Sequence, residues 1–375
     1  MRILKASEAI SPAIGRTKLV LFTPFRMGRS WKLGATAYLA TASSFFFPFP
    51  LIALAFLSQV PAAYRVIVVA GALVLTAIAL LIFYWCSRLQ FAFFDIVLNR
   101  GEFVAPAWRK YGPQSWKWTV MKVVFGTVAT LVAVAPFSAY ILHIVRVMSA
   151  LGPGQQPPDE FIGAFFGMYF VFLFVFGVLT LASSLMTDFV LPSLALENTT
   201  LGQAFRRFFQ LARREPGDLC IYVLIKIGLA IAGYLGQSVV AYVLMLVLEI
   251  VIGGLVFIGY MILHTLGASD TLMIVLACVI VLPIFLFLIF YTTFLLVGIV
   301  LTFLQAYSFY FLGGRYPLLG DLLDRSTPPP PPLPPPPAGY AYAYATPPVY
   351  APGAYVTAEP VAPPHAPPSE PESHS

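Results

Sequence analysis

Charge is what this chain has least of. Only 10% of its 375 residues are Asp, Glu, Lys or Arg, against about 25% in an ordinary soluble domain, so a water-facing surface cannot be built from them. Cysteine and histidine are scarce too, at 3 and 4. Cys86, Cys220 and Cys278 each sit inside an apolar run without CxxC or metal-ligand spacing, which excludes a disulfide framework and a zinc site. His143 and His264 have no spacing that calls for a metal. There is no Walker loop, HExxH or G-x-S-x-G, and no Cys/His arrangement with nucleophilic spacing. Enzyme activity is therefore not expected, and no cofactor is called for.

Apolar residues fill the space. They make up 59% of the chain, with 33 Phe, 19 Tyr and 5 Trp, and the mean hydropathy is +0.85. One globular core of this size could not bury that much. A bilayer must take the surplus, and backbone inside lipid has to satisfy its own hydrogen bonds. Alternating strands of about ten residues, the mark of a β-barrel, are absent. The fold class expected is all-α, a polytopic transmembrane helix bundle with a disordered proline-rich C-terminal tail.

A crossing needs roughly 20 apolar residues. Leu33 to Leu57, Val66 to Ser87, Thr119 to Val147 and Phe161 to Thr187 meet that length. Beyond them, Lys226, Glu249 and Asp270 alone interrupt the apolar run from Leu219 to Gly314. Six crossings are preferred, the last two being Leu219 to Leu248 and about Leu272 to Leu295. Ile250 to Gly267 then forms a re-entrant or interfacial piece; eight crossings also fit. The run from Thr271 to Gly314 is long enough either to project beyond the membrane or to break near Pro283. An uncleaved first helix is expected, because the apolar run after the basic opening exceeds a signal-peptide core.

All 22 Lys and Arg lie at or before Arg325. They cluster in alternate connections, 1 to 32, 100 to 117, 206 to 214 and 315 to 325, whereas 149 to 160 has no base. The positive-inside rule places both termini in the cytoplasm of an inner-membrane protein. The domains follow: a basic amphipathic segment over 1 to 32, a helical membrane domain over 33 to 326, and a tail over 327 to 375. Beside apolar spans these bases meet anionic lipid headgroups at the cytoplasmic face rather than nucleic acid.

The basic connections repeat. Phe94-Asp95-Ile96-Val97-Leu98, then Ala107-Trp108-Arg109-Lys110-Tyr111, leads into a span holding Lys122. Thr187-Asp188-Phe189-Val190-Leu191, then Ala204-Phe205-Arg206-Arg207-Phe208, leads into a span holding Lys226. The pattern is that of two copies of a helix, basic elbow and helix with loop insertions between them. At about 100° per residue, Leu201, Ala204, Phe205, Phe208, Phe209, Leu211 and Ala212 share one side of the second elbow, and Gln203, Arg206, Arg207, Gln210, Arg213 and Arg214 fill the other. Thr199 or Thr200 can cap its start and Glu215-Pro216-Gly217 can stop it, predicting a short amphipathic helix lying in the interface. Such an elbow serves as a topology anchor or as a seat for a lipid or partner.

The stretch Asp188-Phe189-Val190-Leu191-Pro192, with Gln203 to Phe208 and Asp218 to Lys226, resembles an uncharacterised bacterial family of multi-pass proteins. Ser11 to Lys18, Pro24-Phe25-Arg26 and Arg315 to Gly320 look like the same family. It is similar in architecture to the membrane domain fused to some glycerophosphodiester phosphodiesterases. The chain has no soluble catalytic domain of that kind, so the resemblance implies a membrane protein of unassigned activity.

Ionisable groups inside a bilayer are costly and mark candidate function. Lys122, Lys226, Glu249, Asp95 and Asp188 are the candidate intramembrane polar contacts. Lys122 and Lys226 either snorkel or pair with Asp95 or Asp188; alternatively all five serve a transporter or lipid-handling permease. Arg109, Lys110, Arg206, Arg207, Arg213 and Arg214 form the candidate interfacial elbows. In the tail, Pro328, Pro331, Pro334 and Pro337 fit P-x-x-P registers suited to docking a cytoplasmic protein, though a solvated spacer explains them as well. The first functional reading is a non-enzymatic scaffold or lipid-associated membrane component.

Overall fold

The computed structural model describes residues 2–327 except 24–25, 45, 47–53, 55–56, 59, 102 and 151–158. The tail with Pro328, Pro331, Pro334 and Pro337 lies outside the described residues, as does the side chain of His143. Two short helices open the chain, α1 (Ile10–Phe22) and α2 (Met27–Ala42). The long α3 (Ala62–Asn99) is followed by the short α4 (Val104–Lys110), then α5 (Gly112–Ala150) and α6 (Asp159–Phe189). After α7 (Leu191–Glu197) and α8 (Leu201–Arg214) comes α9 (Pro216–Thr265). Then α10 (Asp270–Leu276) passes through a π-helical turn at Ala277–Val281 into α11 (Leu282–Gly313), and α12 (Pro317–Ser326) closes the unit. No strand occurs among the described residues.

Four stretches are long and apolar enough to cross a membrane: Ala62–Asn99, Phe161–Glu197, Pro216–Thr265 and Ile274–Gly313. α5 adds a 39-residue helix over the expected third crossing. One expectation needs correction, and another lies partly outside the described residues. Of the first crossing, set at Leu33 to Leu57, Leu33 to Ala42 is helical and closes at Ser43, and most of the remainder falls outside the described residues. The fifth was to end at Leu248, yet α9 runs 50 residues without a break through Glu249, Gly253 and Gly254. Glycine weakens a helix by only about 1 kcal/mol, and nothing in that apolar run supplies a competing cap. Pro283, by contrast, does act. It lacks the N–H that would bond back one turn, and the chain takes up its ring by widening into the π turn just before it, so the helix is distorted rather than broken.

Burial is concentrated at one end. There α3, α6 and α11 finish and α5 and α9 begin, and Phe91, Phe94, Trp118, Tyr222, Tyr307 and Phe309 fill the centre. The other ends expose apolar side chains, such as Val66, Phe174 and Tyr242, as helices surrounded by lipid do. α11 is the hub and packs against α1, α2, α9 and α12. Its crossing with α2 is made by two glycines: a Cβ on Gly298 would overlap the Gly34 Cα, and one on Gly34 the Phe294 carbonyl.

Leu4, Ala6, Ala9 and Ala13 join the same core, so the N-terminal segment is packed into the bundle. Arg16, 1% exposed, explains how. Its guanidinium donates to Val97 O at 3.0 Å, to Leu98 O, and to Ser326 O and Oγ at 3.2 and 2.9 Å. Besides the Ser326 hydroxyl, these are terminal carbonyls of α3 and α12, groups that lack intrahelical partners and carry the negative end of each dipole. One cation thus closes two helix ends.

Candidate functional site

The two lysines that the repeat relates have different surroundings. Lys226, about three turns into α9, pairs with Asp188 at the end of α6 and donates to Ser184 Oγ at 2.9 Å. Asp188 is 4% exposed and takes two further bonds, from the Tyr222 hydroxyl at 2.9 Å and the Ser308 hydroxyl at 3.0 Å. Both carboxylate oxygens are therefore engaged, as a buried charge requires. Tyr222 lies one turn before Lys226 on the same face and stacks between Tyr307 and Phe311 of α11.

Lys122 is 2% exposed and has no carboxylate within ion-pair distance among the described residues. It donates to Gln90 Oε1 at 3.1 Å and Ser43 Oγ at 3.3 Å, with its ammonium over the Phe83 and Trp118 rings at 5.1 and 5.9 Å. Trp118, one turn before Lys122 as Tyr222 is before Lys226, also donates to Gln90 Oε1, at 2.7 Å. The expected pairing with an aspartate thus forms at Lys226 and fails at Lys122. Asp95 lies five residues beyond Gln90, about 140° further round α3, and its carboxylate meets Lys110 Nζ at 2.8 Å and the Tyr111 hydroxyl at 2.7 Å. Burial and the bond to Asp95 push the Tyr111 hydroxyl up to about 12. Burial pulls Lys110 down, but its bonds to Asp95 and Tyr111 outweigh that and raise it. Glu249 is exposed on α9, far along the helix from Lys226.

Between α2, α6, α9 and α11 lies a cavity of about 580 Å³. Asp188, Lys226, Ser184, Gln90 and Gln305 give it polar walls, and Leu173, Phe174, Leu181 and Ile227 line it with apolar surface. The Gln305 Nε2 is buried without a hydrogen-bond partner.

Each elbow is preceded by a residue with positive φ, Arg100 at 57° and Asn198 at 52°, which closes α3 and α7 alike. The first elbow is tied to α3 by Arg88, which donates to Trp108 O at 2.9 Å and covers the Trp108 ring; Arg109 is exposed. In the second, Thr200 rather than Thr199 caps α8 through a capping box with Gln203. Leu201, Ala204, Phe205, Phe208 and Leu211 dock on the core. Arg206, Arg213 and Arg214 are exposed, and Arg207, also exposed, pairs with Glu197 at 2.5 Å. Phe205 and Phe209 line an apolar groove with Trp116, Lys117 and Val124 of α5.

Sequence reasoning passed over Arg16, Gln90, Tyr222, Gln305 and Ser308 as site residues. It passed over Arg315 as well, which bridges Glu215 at 2.7 Å and Asp218 at 2.9 Å while donating to Leu4 O at 2.9 Å. An aromatic residue four positions before each lysine was the available signal for Trp118 and Tyr222.

Helices of membrane-crossing length, lipid-type exposure and, among the described residues, buried charge pairing gathered at the elbow end define a polytopic all-α membrane protein. Residues 4–322 match the model of a Family of unknown function (DUF7544), and the chain belongs to that family. No curated protein and no solved structure matches it.

Proposed function

We propose that this is a non-enzymatic, lipid-associated membrane component whose elbow end sits at the cytoplasmic face of an inner membrane and gathers anionic lipid there. The observation that carries the reading is a belt at the level of the elbows. Trp116 and Phe209 are 61% and 57% exposed, beside Lys117, Arg206, Arg213 and Arg214. Aromatic rings flanked by bases suit the headgroup layer, where each base contributes about 1 kcal/mol toward an anionic surface. The likeness to the membrane domains of some glycerophosphodiester phosphodiesterases supports a place among lipids, and the proline-rich tail is the element suited to a soluble partner.

Native mass spectrometry of protein extracted with its lipids tests this. Replacing Arg206, Arg213 and Arg214 together by Gln should lower retained phosphatidylglycerol by about a hundredfold at ~1 kcal/mol per base, with zwitterionic lipid unchanged. Equal retention refutes the reading. Orientation is tested separately in intact cells: a cysteine placed at Gly154 should react with an impermeant reagent and one at Gln210 should not.

A further inference from the structure

We infer that the cavity between α2, α6, α9 and α11 is a binding site for an uncharged single-chain amphiphile with a hydroxyl head, separate from the lipid belt at the elbows. Its volume, about 580 Å³, lies within the ~300–1,000 Å³ of ligand sites. The lining is graded along α6. Leu173, Phe174 and Val178 stand at one end and Ser184, Thr187 and Asp188 at the other, so that Leu173 and Asp188 lie about 22 Å apart along the helix. On α9 the order is the same, with Lys226 at the polar end and Ala230 a turn further on. The polar end is the elbow end, where α6 finishes and α9 begins. Phe174, 73% exposed, leaves the apolar end open to lipid. A ligand here lies as a lipid of that leaflet does, head toward the elbows and chain toward the middle of the bilayer.

The polar end offers acceptors. The hydroxyls of Thr41, Ser44, Thr180 and Thr187 all line the cavity, and each has given its proton to a backbone carbonyl of its own segment. A hydroxyl that has donated keeps lone pairs to accept with. Three of the four gather at one level, since Ser183, next to Ser184 and one turn before Thr187, bonds to the Ser44 carbonyl and Thr41 lies one turn before Ser44. Lys226 adds one donor, because its third N–H is unused after Asp188 and Ser184. A group that donates and also accepts suits this wall, and an alcohol does both.

Charge excludes the other heads. Asp188 and Lys226 are the charged residues of the lining and they pair with each other, so the wall carries no net charge. Both Asp188 oxygens are already engaged by Lys226, Tyr222 and Ser308. A carboxylate or phosphate would face lone pairs, and an ammonium would find no free carboxylate. Either would give up its hydration without a counter-charge, which costs far more than burying an alcohol that keeps its hydrogen bonds. An ester or ketone accepts only, and leaves the four hydroxyl oxygens without a donor.

The full-length protein is titrated in an amine-oxide detergent, whose head has no hydroxyl to compete, and 1:1 adducts are read by native mass spectrometry. The probes are monopalmitoylglycerol, methyl palmitate, palmitate, hexadecyltrimethylammonium and dipalmitoylglycerol. Monopalmitoylglycerol should bind saturably and at least about tenfold tighter than each of the others. Two kinds of variant locate it. Thr180→Val with Thr187→Val removes two acceptors at nearly constant shape, and should bring monopalmitoylglycerol close to methyl palmitate while leaving methyl palmitate itself unchanged. Gly177→Leu on α6, where a Cβ meets nothing within 4 Å, and Ala230→Phe on α9 fill the cavity from two walls. Loss of binding in either at unchanged Tm supports the inference. Full binding by both overturns it, as do equal binding of a charged probe, of the methyl ester or of the two-chain lipid, a preference that survives the double valine variant, or no saturable adduct. Phosphatidylglycerol held by the elbow arginines should be indifferent to all these substitutions, so failure here and failure of the elbow reading are distinguishable.

Discussion

Lys122 and Lys226 occupy matching places in two copies of one device, and the structure predicts opposite results for the same substitution. Lys226→Met leaves Asp188 charged, 4% exposed and reduced to the Tyr222 and Ser308 hydroxyls. Removing one partner of a buried pair in this way costs about 3–5 kcal/mol. At about 2.1 cal/mol/K of unfolding entropy per residue over Met1–Pro328, the apparent Tm should fall by roughly 4–7 °C. Lys122→Met removes a buried cation that has no carboxylate to strand. It forfeits two hydrogen bonds of about 1 kcal/mol each and recovers the desolvation of the ammonium. The Tm should hold or rise. Adding Asp188→Asn to Lys226→Met should restore most of the loss, because Asn carries no charge and can accept from one of the two hydroxyls through its oxygen while its amide N–H donates to the oxygen of the other. Thermal unfolding of the purified protein in one detergent, followed by tryptophan fluorescence and size-exclusion recovery, reads all three variants. If Lys122→Met costs as much as Lys226→Met, or if the double variant is additive, the account of these charges is wrong.

Three further outcomes follow from the packing. Arg16→Met should destabilise by at least about 3 kcal/mol, since carbonyls at the ends of α3 and α12 lose their donor together, and hydrogen exchange should rise at both ends. Gly298→Val should fail to yield monodisperse protein while Gly228→Val, which meets no neighbour, should express normally; equal yields would remove the α2–α11 crossing from consideration. The Asp95–Lys110–Tyr111 cluster sets an alkaline limit. The Tyr111 proton is held to about 12 in the folded state against roughly 10 when unfolded. Stability from this group is complete below pH ~10 and is lost as pH rises toward the folded value. A urea midpoint series from pH 9 to about 12 should show that slope, and Tyr111→Phe should flatten it.

Much of the architecture is a property of local sequence. Helical class, the approximate spans and the amphipathic α8 with its threonine cap follow from composition and from periodicity within single segments. The Asp188–Lys226 contact was among the pairings weighed because the repeat set an acid and a base at corresponding helix ends. The same reasoning offered Lys122 an aspartate it does not have. Within one copy, the angular offset between Gln90 and Asp95 on α3 decides which of them a lysine on α5 can reach, and that depends on how the two helices are rotated against each other.

Tertiary structure alone decided the rest. Arg16 reaches Val97 across 81 residues and Ser326 across 310, and Arg315 reaches Glu215 across 100; no window along the chain contains both partners. The glycine crossing of α2 and α11 and the cavity beside it arise where helices from distant parts of the sequence meet. Hydropathy records how each residue relates to lipid or water along its own helix. Which faces come together, and what space is left between them, is set by the packing of the whole bundle.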